Sequence, residues 1–398
     1  MSTAAMAQAA PDFMETLVSR YDDSVFDARQ RVTRVRLVVK GGDEWDAVIT
    51  DGAAELAPVR GQPDAVLTAD APVWRALSLD LRGGLGAYRA GRLSVRRNMH
   101  VGVGFLAATS GDERAGRLRF RRIATRRARL SILEAGSGPP VLALHGLGAT
   151  KGSLLPTVAA LARGFRVIAV DQPGFGDSDK PIGAAYDARF FAAAAIDLLD
   201  ALELERVHLI GNSLGGRVAL EVGMRYPSRV ERLGLLAPSL AWRRAGRSLR
   251  PLVRLTRPEL GLVQLAPRPL VEAIVQRMIP DAERGWAAAG VDEFLRAYLT
   301  PSGRAAFYAA ARHVVLEEPH GEQGFWTRLQ GLQPPALFIW GHHDRLVPLA
   351  FARHVADALP SAKHLELECG HVPQIELPGP THEALAAFFA GPTRFRRA

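Results

Sequence analysis

The sequence predicts an α/β protein: a mostly parallel sheet with helices on both faces and a helical cap, preceded by a small α+β unit. Three observations predict it. From about residue 120 onward, apolar β-branched runs alternate with helical stretches, and strands buried on both faces of a parallel sheet read this way. The first hundred or so residues instead carry short runs, each closed by Gly, Pro or Asp, which is the texture of an antiparallel meander. Finally, 398 residues exceed the roughly 250 to 300 that one hydrophobic core usually organises.

Residues 1–20 are expected to be a flexible lead-in. Their opening "MSTAAMAQAAPDF" lacks the basic start and continuous apolar segment of an export signal. No run in the chain approaches the ~18 to 20 apolar residues of a membrane span, so a cytoplasmic protein is expected. Residues 21–108 form the α+β unit. Its strands are expected at "TRVRLVVKGG", "EWDAVITDG", "AAELAPVRG" and "DAVLTADAP". A helix is expected from Pro72 to Leu81, with Pro early, where its missing N–H is harmless. A strand at "GRLSVRR" and an apolar helix from Met99 to Ala108 close the unit. Thr109 to Arg117, polar and containing Gly, reads as a linker.

Residues 118–398 form the second domain. Strands are expected at "PPVLALHG", "FRVIAVDQPG", "RVHLIGNS", "RVERLGLLAP" and "PPALFIWGHHD". Between Ser239 and Pro334 the alternation lapses into helical sequence punctuated by Arg and Pro. An insertion of that length, about 239–333, is expected to cap the sheet edge.

With 48% hydrophobic and 23% charged residues, the chain has the composition of a globular protein with a substantial core. Its net charge of +9 is carried largely by arginine, as in "RLRFRRIATRRAR" (Arg117 to Arg129) and the terminal "RFRRA". No nucleic-acid module accompanies this charge, so no nucleic-acid partner is expected. Peripheral contact with an anionic membrane is the partner that the charge allows. Cys369 is the single cysteine; it excludes an internal disulfide, fits a reducing compartment and reads as a small buried apolar residue. Nothing in the sequence sets the oligomeric state.

Residues 211–216, "GNSLGG", follow the apolar run "RVHLI" and precede the helical "RVALEVGMRY". A serine hydroxyl becomes nucleophilic only with exposure and with a base that is itself oriented. A sharp strand-to-helix turn supplies exposure, and it needs near-absent side chains at Gly211 and Gly215. The helix starting at Leu214 would aim free N–H groups at the same point. Candidates for the base and its carboxylate follow at the ends of later strands: Asp344 closes "LFIWGHHD" and His371 lies in "LELECGHVPQIE". His342 and His343 read as loop or surface residues and not metal ligands, since no further ligand lies at suitable local spacing. His145 reads as a brace for its loop, and Asp171 and Asp177 as turn-forming residues.

From about Arg119 to Phe389 the chain resembles the α/β-hydrolase superfamily. The resemblance is carried by "HGLG" (145–148), "DQPGFGDSDKP" (171–181), "GNSLGG", "WGHHDRLVP" and "CGHVPQIE", in that order. It implies an α/β-hydrolase fold with Ser213 as nucleophile, His371 as general base and then acid, and Asp344 as the carboxylate fixing the imidazole. The backbone N–H groups of Leu147 and Leu214 would form the oxyanion hole, and no metal or organic cofactor is needed. Serine at the elbow separates the chain from the haloalkane dehalogenases and epoxide hydrolases, which use aspartate there. "GNSLGG" with Asn212, "DQPGFGDSDKP" and "CGHVPQIE" lean toward the branch that includes hydrolases of meta-cleavage products and many small-ester hydrolases.

Residues Tyr21 to Ala108 resemble the sterol-carrier-protein-2-like family through "ITDGAAEL", "DAVLTAD" and "GRLSV", which implies an apolar tunnel for a lipid or acyl chain. Together these imply a serine hydrolase cleaving a carboxylic ester of an apolar or lipid-like acyl group. One alternative is C–C hydrolysis of a 2-hydroxy-6-oxo-dienoate. That reaction needs a cation, for which Arg243, Arg244, Arg250, Arg254 and Arg257 are candidates. The other is a lipid-binding or transfer protein that keeps the hydrolase fold as a scaffold.

Overall fold

The computed structural model describes residues 10–26, 28, 31–77, 87, 91–110, 118–242, 253, 257–263, 269–271, 273 and 285–391. The chain divides into two compact units. One comprises Met1–Arg121 with Pro269–Arg296, the other Arg122–Arg268 with Ala297–Ala398.

The first unit is built on strands β1 (Thr33–Val39), β2 (Glu44–Thr50), β3 (Ala53–Ala57), β4 (Ala65–Ala69) and β5 (Leu93–Arg96). Their order is β3-β2-β1-β4-β5. The expected meander holds for β1–β2, β2–β3 and β4–β5, which are antiparallel. It fails at β1–β4, which is parallel, with Val35 opposite Ala65. The cause lies in residues 58–64, which carry the chain back to the start of β1. Asp46, fully buried on β2, accepts from the Arg60 amide at 2.8 Å and from Arg36 Nε at 2.9 Å. Asp64 accepts from the Arg34 amide at 2.8 Å. Returned to that end, β4 has to run in the direction of β1.

Helices α1 (Asp12–Val18), α2 (Ala71–Leu77) and α3 (Met99–Ala108) complete the described part of this region. Helix α1 corrects the expectation of a flexible lead-in through residue 20. Met14, Leu17 and Val18 fall at i, i+3 and i+4 and are all buried, and that apolar stripe holds the helix. Helix α2 begins one residue before Pro72, and residues 78–81 lie outside the described residues. Trp74 is buried and donates from Nε1 to the Val38 carbonyl at 3.0 Å. In α3, a side chain at Gly104 would enter the ring of Phe26, and one at Gly102 would stand 2.7 Å from Val95. At Gly102 helix and sheet are in direct contact. Thr109, assigned by sequence to the linker, is fully buried and bonds back to the Phe105 carbonyl at 2.9 Å.

The segment 239–333, expected to form one helical cap, is split between the units. No strand lies among its described residues, which contain α7 (Gly285–Tyr298), α8 (Pro301–Leu316) and α9 (Phe325–Gln330). Of this segment, Pro269–Arg296 groups with the first unit and the rest with the second. In the first unit Asp292 accepts from the Arg97 amide at 2.8 Å and from the Arg96 guanidinium at 2.6 and 3.2 Å. Glu293, 3% exposed, accepts from the Met99 amide at 2.6 Å. That amide opens α3 and has no intrahelical acceptor, so a carboxylate from a distant stretch of chain caps the helix.

The second sheet contains β6 (Arg119–Ala124), β7 (Arg129–Ala135), β8 (Pro140–Leu144), β9 (Arg166–Val170), β10 (Val207–Asn212), β11 (Val230–Leu236), β12 (Ala336–Gly341) and β13 (Lys363–Leu367). Its order is β13-β12-β11-β10-β8-β9-β7-β6. All pairs from β9 through β8 to β13 are parallel, and β7 runs antiparallel to β9. The sheet is mixed, with a parallel centre. Helices α4 (Leu155–Leu161), α5 (Ala188–Ala201), α6 (Leu214–Arg225), α10 (Phe351–Ala358), α11 (Pro373–Glu376) and α12 (Pro378–Ala390) accompany it. Neighbouring residues on β11 show that both faces are covered. Leu233 meets Gly223 of α6, while Gly234 lies under Leu385 and Phe389 of α12.

From β8 the chain steps to β9 on one side and later to β10 on the other. Ligands of open α/β sheets bind at such a reversal, beyond the carboxyl ends of the strands. The loop after β8 carries "HGLG", and the passage from β10 into α6 carries "GNSLGG". Within the first unit, Glu293→Ala leaves the Met99 amide buried without its acceptor and is expected to destabilise the protein by about 1–3 kcal/mol. A thermal midpoint equal to that of wild type would contradict this capping role.

Candidate active site

Strand β10 is buried along its whole length and ends at Asn212. Ser213 follows at φ 54°, ψ −117° and leads directly into α6. Positive φ is rare for a residue with a side chain and persists only where the surroundings enforce it. Here they do. A side chain at Gly211 would collide with the main chain of Gly215 and Gly216, and one at Gly215 with that of Leu144 and His145. The Ser213 amide donates to the Leu236 carbonyl at 3.0 Å, and the Ser213 carbonyl accepts from the amides of Arg217 and Ser239 at 3.0 and 2.9 Å. Leu214 is the first residue of α6, so its N–H has no intrahelical acceptor. The loop bearing Leu147 lies alongside: a methyl group at Gly146 would stand 3.3 Å from Ser213 Cβ.

Asp344, with its side chain fully buried, follows β12. Its Oδ1 accepts from the amides of Leu346 and Val347 at 2.8 and 2.9 Å, and its Oδ2 lies 2.8 Å from His371 Nδ1. The carboxylate therefore caps its own loop and orients the imidazole. A proton on Nδ1 satisfies this bond and leaves Nε2 as the basic nitrogen. His371 lies in the loop after β13, which is held internally by Glu376. That carboxylate accepts from the amides of Gly370 at 2.5 Å and Val372 at 2.9 Å, on either side of the histidine. Among the described residues no hydrogen bond joins the Ser213 hydroxyl to His371. Asn212 links their segments, donating to the His371 carbonyl at 3.1 Å. Ser213, Asp344 and His371 thus gather with the Leu147 loop and the start of α6 at the carboxyl edge of the sheet.

His145 is fully buried; its Nε2 accepts from the Gln172 amide at 3.0 Å, and Gln172 Nε2 donates to its carbonyl at 2.8 Å. Burial lowers its pKa against the pull of Asp171, which keeps the ring neutral and able to accept. Asp171 is more than a turn residue. Fully buried, it accepts from the Lys151 amide at 2.7 Å, from Lys151 Nζ at 2.5 Å and from the Asp177 amide at 2.8 Å. Burial alone would raise its pKa, but the charge of Lys151 outweighs this and holds the carboxyl below its ordinary value. Lys151, 3% exposed, escaped the sequence reading; its proximity to "HGLG" was the available signal.

A second buried cluster was also missed. Arg217, one turn past Ser213, donates through Nε to Glu317 at 2.7 Å and through Nη2 to Glu221 at 2.8 Å and to Glu317. Arg328 donates to both oxygens of Glu221 at 2.8 and 3.0 Å, and Arg225 pairs with the same carboxylate. The cluster ties α6 to α9 and to the end of α8. His342 and His343 do have carboxylate neighbours, supplied across β12–β13: Glu366 lies 3.4 Å from His342 and Glu368 3.1 Å from His343. Among the described residues no group of His, Cys, Asp and Glu is arranged to hold a metal ion. Cys369 is buried, and burial first, with Glu376, Asp344 and Glu368, pushes its thiol up to about 12. Of the five cap arginines, Arg257 is exposed and Arg243, Arg244, Arg250 and Arg254 lie outside the described residues.

Residues 139–378 match the model of the alpha/beta hydrolase fold family. The chain belongs to that family. An uncharacterized protein of Mycobacterium tuberculosis (strain H37Rv) is 34% identical over 271 residues, covering 64% of this chain and 76% of that protein. The 2-hydroxymuconate semialdehyde hydrolase of Pseudomonas sp. (strain CF600) is 30% identical over 258 residues, covering 62% of this chain and 86% of the enzyme. Among solved structures, a membrane phospholipase A described as a bacterial virulence factor superposes with a TM-score of 0.55 at 27% identity, covering 70% of this chain and 87% of that one. A hydrolase from Pseudomonas aeruginosa PA01 gives 0.55 at 26% identity, covering 70% and 100%.

The charge cluster has a testable signature. Burial raises the pKa of Glu221, but Arg217, Arg225 and Arg328 outweigh it and bring the carboxyl from its ordinary 4.5 to about 2. The folded form releases this proton at lower pH than the unfolded chain. Its stability contribution is therefore complete above pH 4.5 and is lost as pH falls toward about 2. In urea unfolding, the stability gap between wild type and Glu221→Gln is expected to be flat above about pH 5 and to shrink below it. A gap independent of pH down to about 3 would refute this coupling.

Proposed function

We propose that the protein is a serine hydrolase that cleaves a carboxylic ester of an apolar, lipid-like acyl group through an acyl-enzyme intermediate. The 2.8 Å bond between His371 Nδ1 and Asp344 Oδ2 carries the reading. It turns a histidine near the strained Ser213 turn into an oriented base. In this mechanism Ser213 Oγ attacks the acyl carbon while His371 Nε2 takes its proton. The oxyanion is held by the N–H groups of Leu147 and Leu214. Collapse expels the alcohol, protonated by His371, and leaves the acyl-serine. Water then attacks, giving its proton to His371, and the second collapse returns that proton to Ser213 and releases the acid.

C–C hydrolysis of a dienoate is the second reading, favoured by the likeness to the semialdehyde hydrolase. It needs a cation for the keto-acid end. The two cations nearest in sequence to the Leu147 loop and the serine turn are committed elsewhere: Lys151 to Asp171, and Arg217 to Glu221 and Glu317. For the dienoate, the cap arginines are then the candidates for that cation. A lipid-transfer protein on a hydrolase scaffold fits less well, because a scaffold has no need of the Asp344–His371 pair.

A lipid-holding role for residues 21–108 goes with the ester reading. No helix of the described residues is long and apolar enough to cross a membrane. Any membrane contact is proposed as peripheral and electrostatic, the partner being anionic lipid. Such binding to anionic vesicles is expected to weaken at high salt.

Ser213→Ala is expected to abolish both ester hydrolysis and labelling by a serine-directed phosphonate. On p-nitrophenyl esters, turnover is expected to rise from acetyl toward medium and long acyl chains. A flat chain-length profile overturns the lipid-like substrate, and faster bleaching of a coloured dienoate than of any ester favours C–C hydrolysis. Asp344→Asn is expected to lower kcat by about 10⁴-fold, the scale known for removing the orienting carboxylate of a serine protease. Retention of a tenth of wild-type kcat would remove Asp344 from that role.

A further inference from the structure

We propose that Asn212 is a positioning residue that fixes the approach of His371 to Ser213, an inference that rests on the serine-hydrolase reading. The sheet itself does not bring these residues together. β10 and β13 are separated by β11 and β12, and three strand spacings amount to about 14 Å. The His371 loop therefore has to reach back over two strands and be fastened where it arrives.

Asn212 is the last residue of β10 and 4% exposed. Its Nδ2 spends both hydrogens on carbonyls, one on Leu236 at 3.0 Å at the end of β11 and one on His371 at 3.1 Å. Its Oδ1 faces the other loop of the site: a methyl group at Gly146 would stand 3.4 Å from it. One planar amide thus bonds to the neighbouring strand and the histidine loop and borders the oxyanion loop, and its main chain continues into Ser213. Among the described residues it makes the only side-chain hydrogen bond to the His371 main chain.

The division of labour follows from these bonds. Asp344 fixes the imidazole by one bond to Nδ1, and the His343 amide, donating to the Cys369 carbonyl at 2.9 Å, ties the loop to the one after β12; neither bond reaches the serine turn. Glu376 makes the loop rigid by holding the amides on either side of His371, but it lies in the same segment and fastens it to nothing beyond. Asn212 ties that rigid loop to the serine turn. Loss of the tie displaces the base from the hydroxyl without altering the surface that binds substrate, and a displacement of about 1 Å is enough to reduce rate by roughly 10²-fold. Asparagine suits the task because a carboxylate of the same shape would set oxygen against two carbonyl oxygens.

The test uses the full chain with Asn212→Ala and the near-isosteric Asn212→Asp, assayed on one p-nitrophenyl ester beside Ser213→Ala and Asp344→Asn. Both Asn212 variants are expected to lose about 10- to 100-fold in kcat with KM within about threefold of wild type. Because Asn212 and Asp344 act on the same imidazole, Asn212→Ala combined with Asp344→Asn is expected to lose less than the product of the single losses. Circular dichroism corrects each rate for the folded fraction, and Asn212→Asp supplies the result if the alanine variant does not fold. Wild-type kcat in a folded Asn212 variant overturns the inference while leaving the serine-hydrolase reading intact. So does a loss that appears in KM alone or multiplies fully with Asp344→Asn. Activity surviving in Ser213→Ala overturns the reading itself.

Discussion

Ser213 holds a backbone conformation that a residue with a side chain adopts only under compulsion, and the centre of the second unit is organised to impose it. Gly211 and Gly215 let the strand and the following helix press together, and Gly215 lets that helix rest on the end of β8. The main chain of Ser213 is fully bonded, its amide to β11 and its carbonyl to Arg217 and Ser239. Strain of this kind is of the order of 1–3 kcal/mol and is sustained by contacts that no single residue controls. The hydroxyl is presented because the sheet around it is parallel, buried and closely packed.

Two buried ion-pair groups flank this turn. Lys151 with Asp171 braces the loops after β8 and β9, and Arg217 with Glu221 and Glu317 braces the opening of α6. A buried ion pair adds little net stability compared with apolar residues of the same shape. Its effect is directional, since a charge removed from water accepts only a few geometries. Such pairs make the loop ends stiff where chemistry requires fixed distances.

The parallel sheet, the serine turn and the later Asp344 and His371 were legible because each leaves a local trace. Buried parallel strands read as apolar runs, and a sharp turn demands glycine at fixed offsets. What the sequence concealed depends on partners far apart. Arg217 and Glu317 are separated by 100 positions, and no periodicity connects them. The parallel pairing of β1 with β4 arises from the path of residues 58–64 and not from the strands themselves, whose alternation suits either direction. Helix α1 was overlooked because its seven residues give a short signal beside a polar start. His342 and His343 seemed isolated because their neighbours, Glu366 and Glu368, lie on the next strand and just past its end.

The capping of α3 by Glu293 bears on how this architecture is assembled. The first unit draws its acceptor for the Met99 amide from a stretch almost two hundred positions downstream, inside the region that a reader of the sequence gives wholly to the hydrolase. Severing the polypeptide at residues 111–117 leaves the N-terminal portion without an integral part of its own core. Transplanting that portion onto another enzyme is therefore a graft with three junctions and not a simple fusion, and the inserted helix has to travel with it.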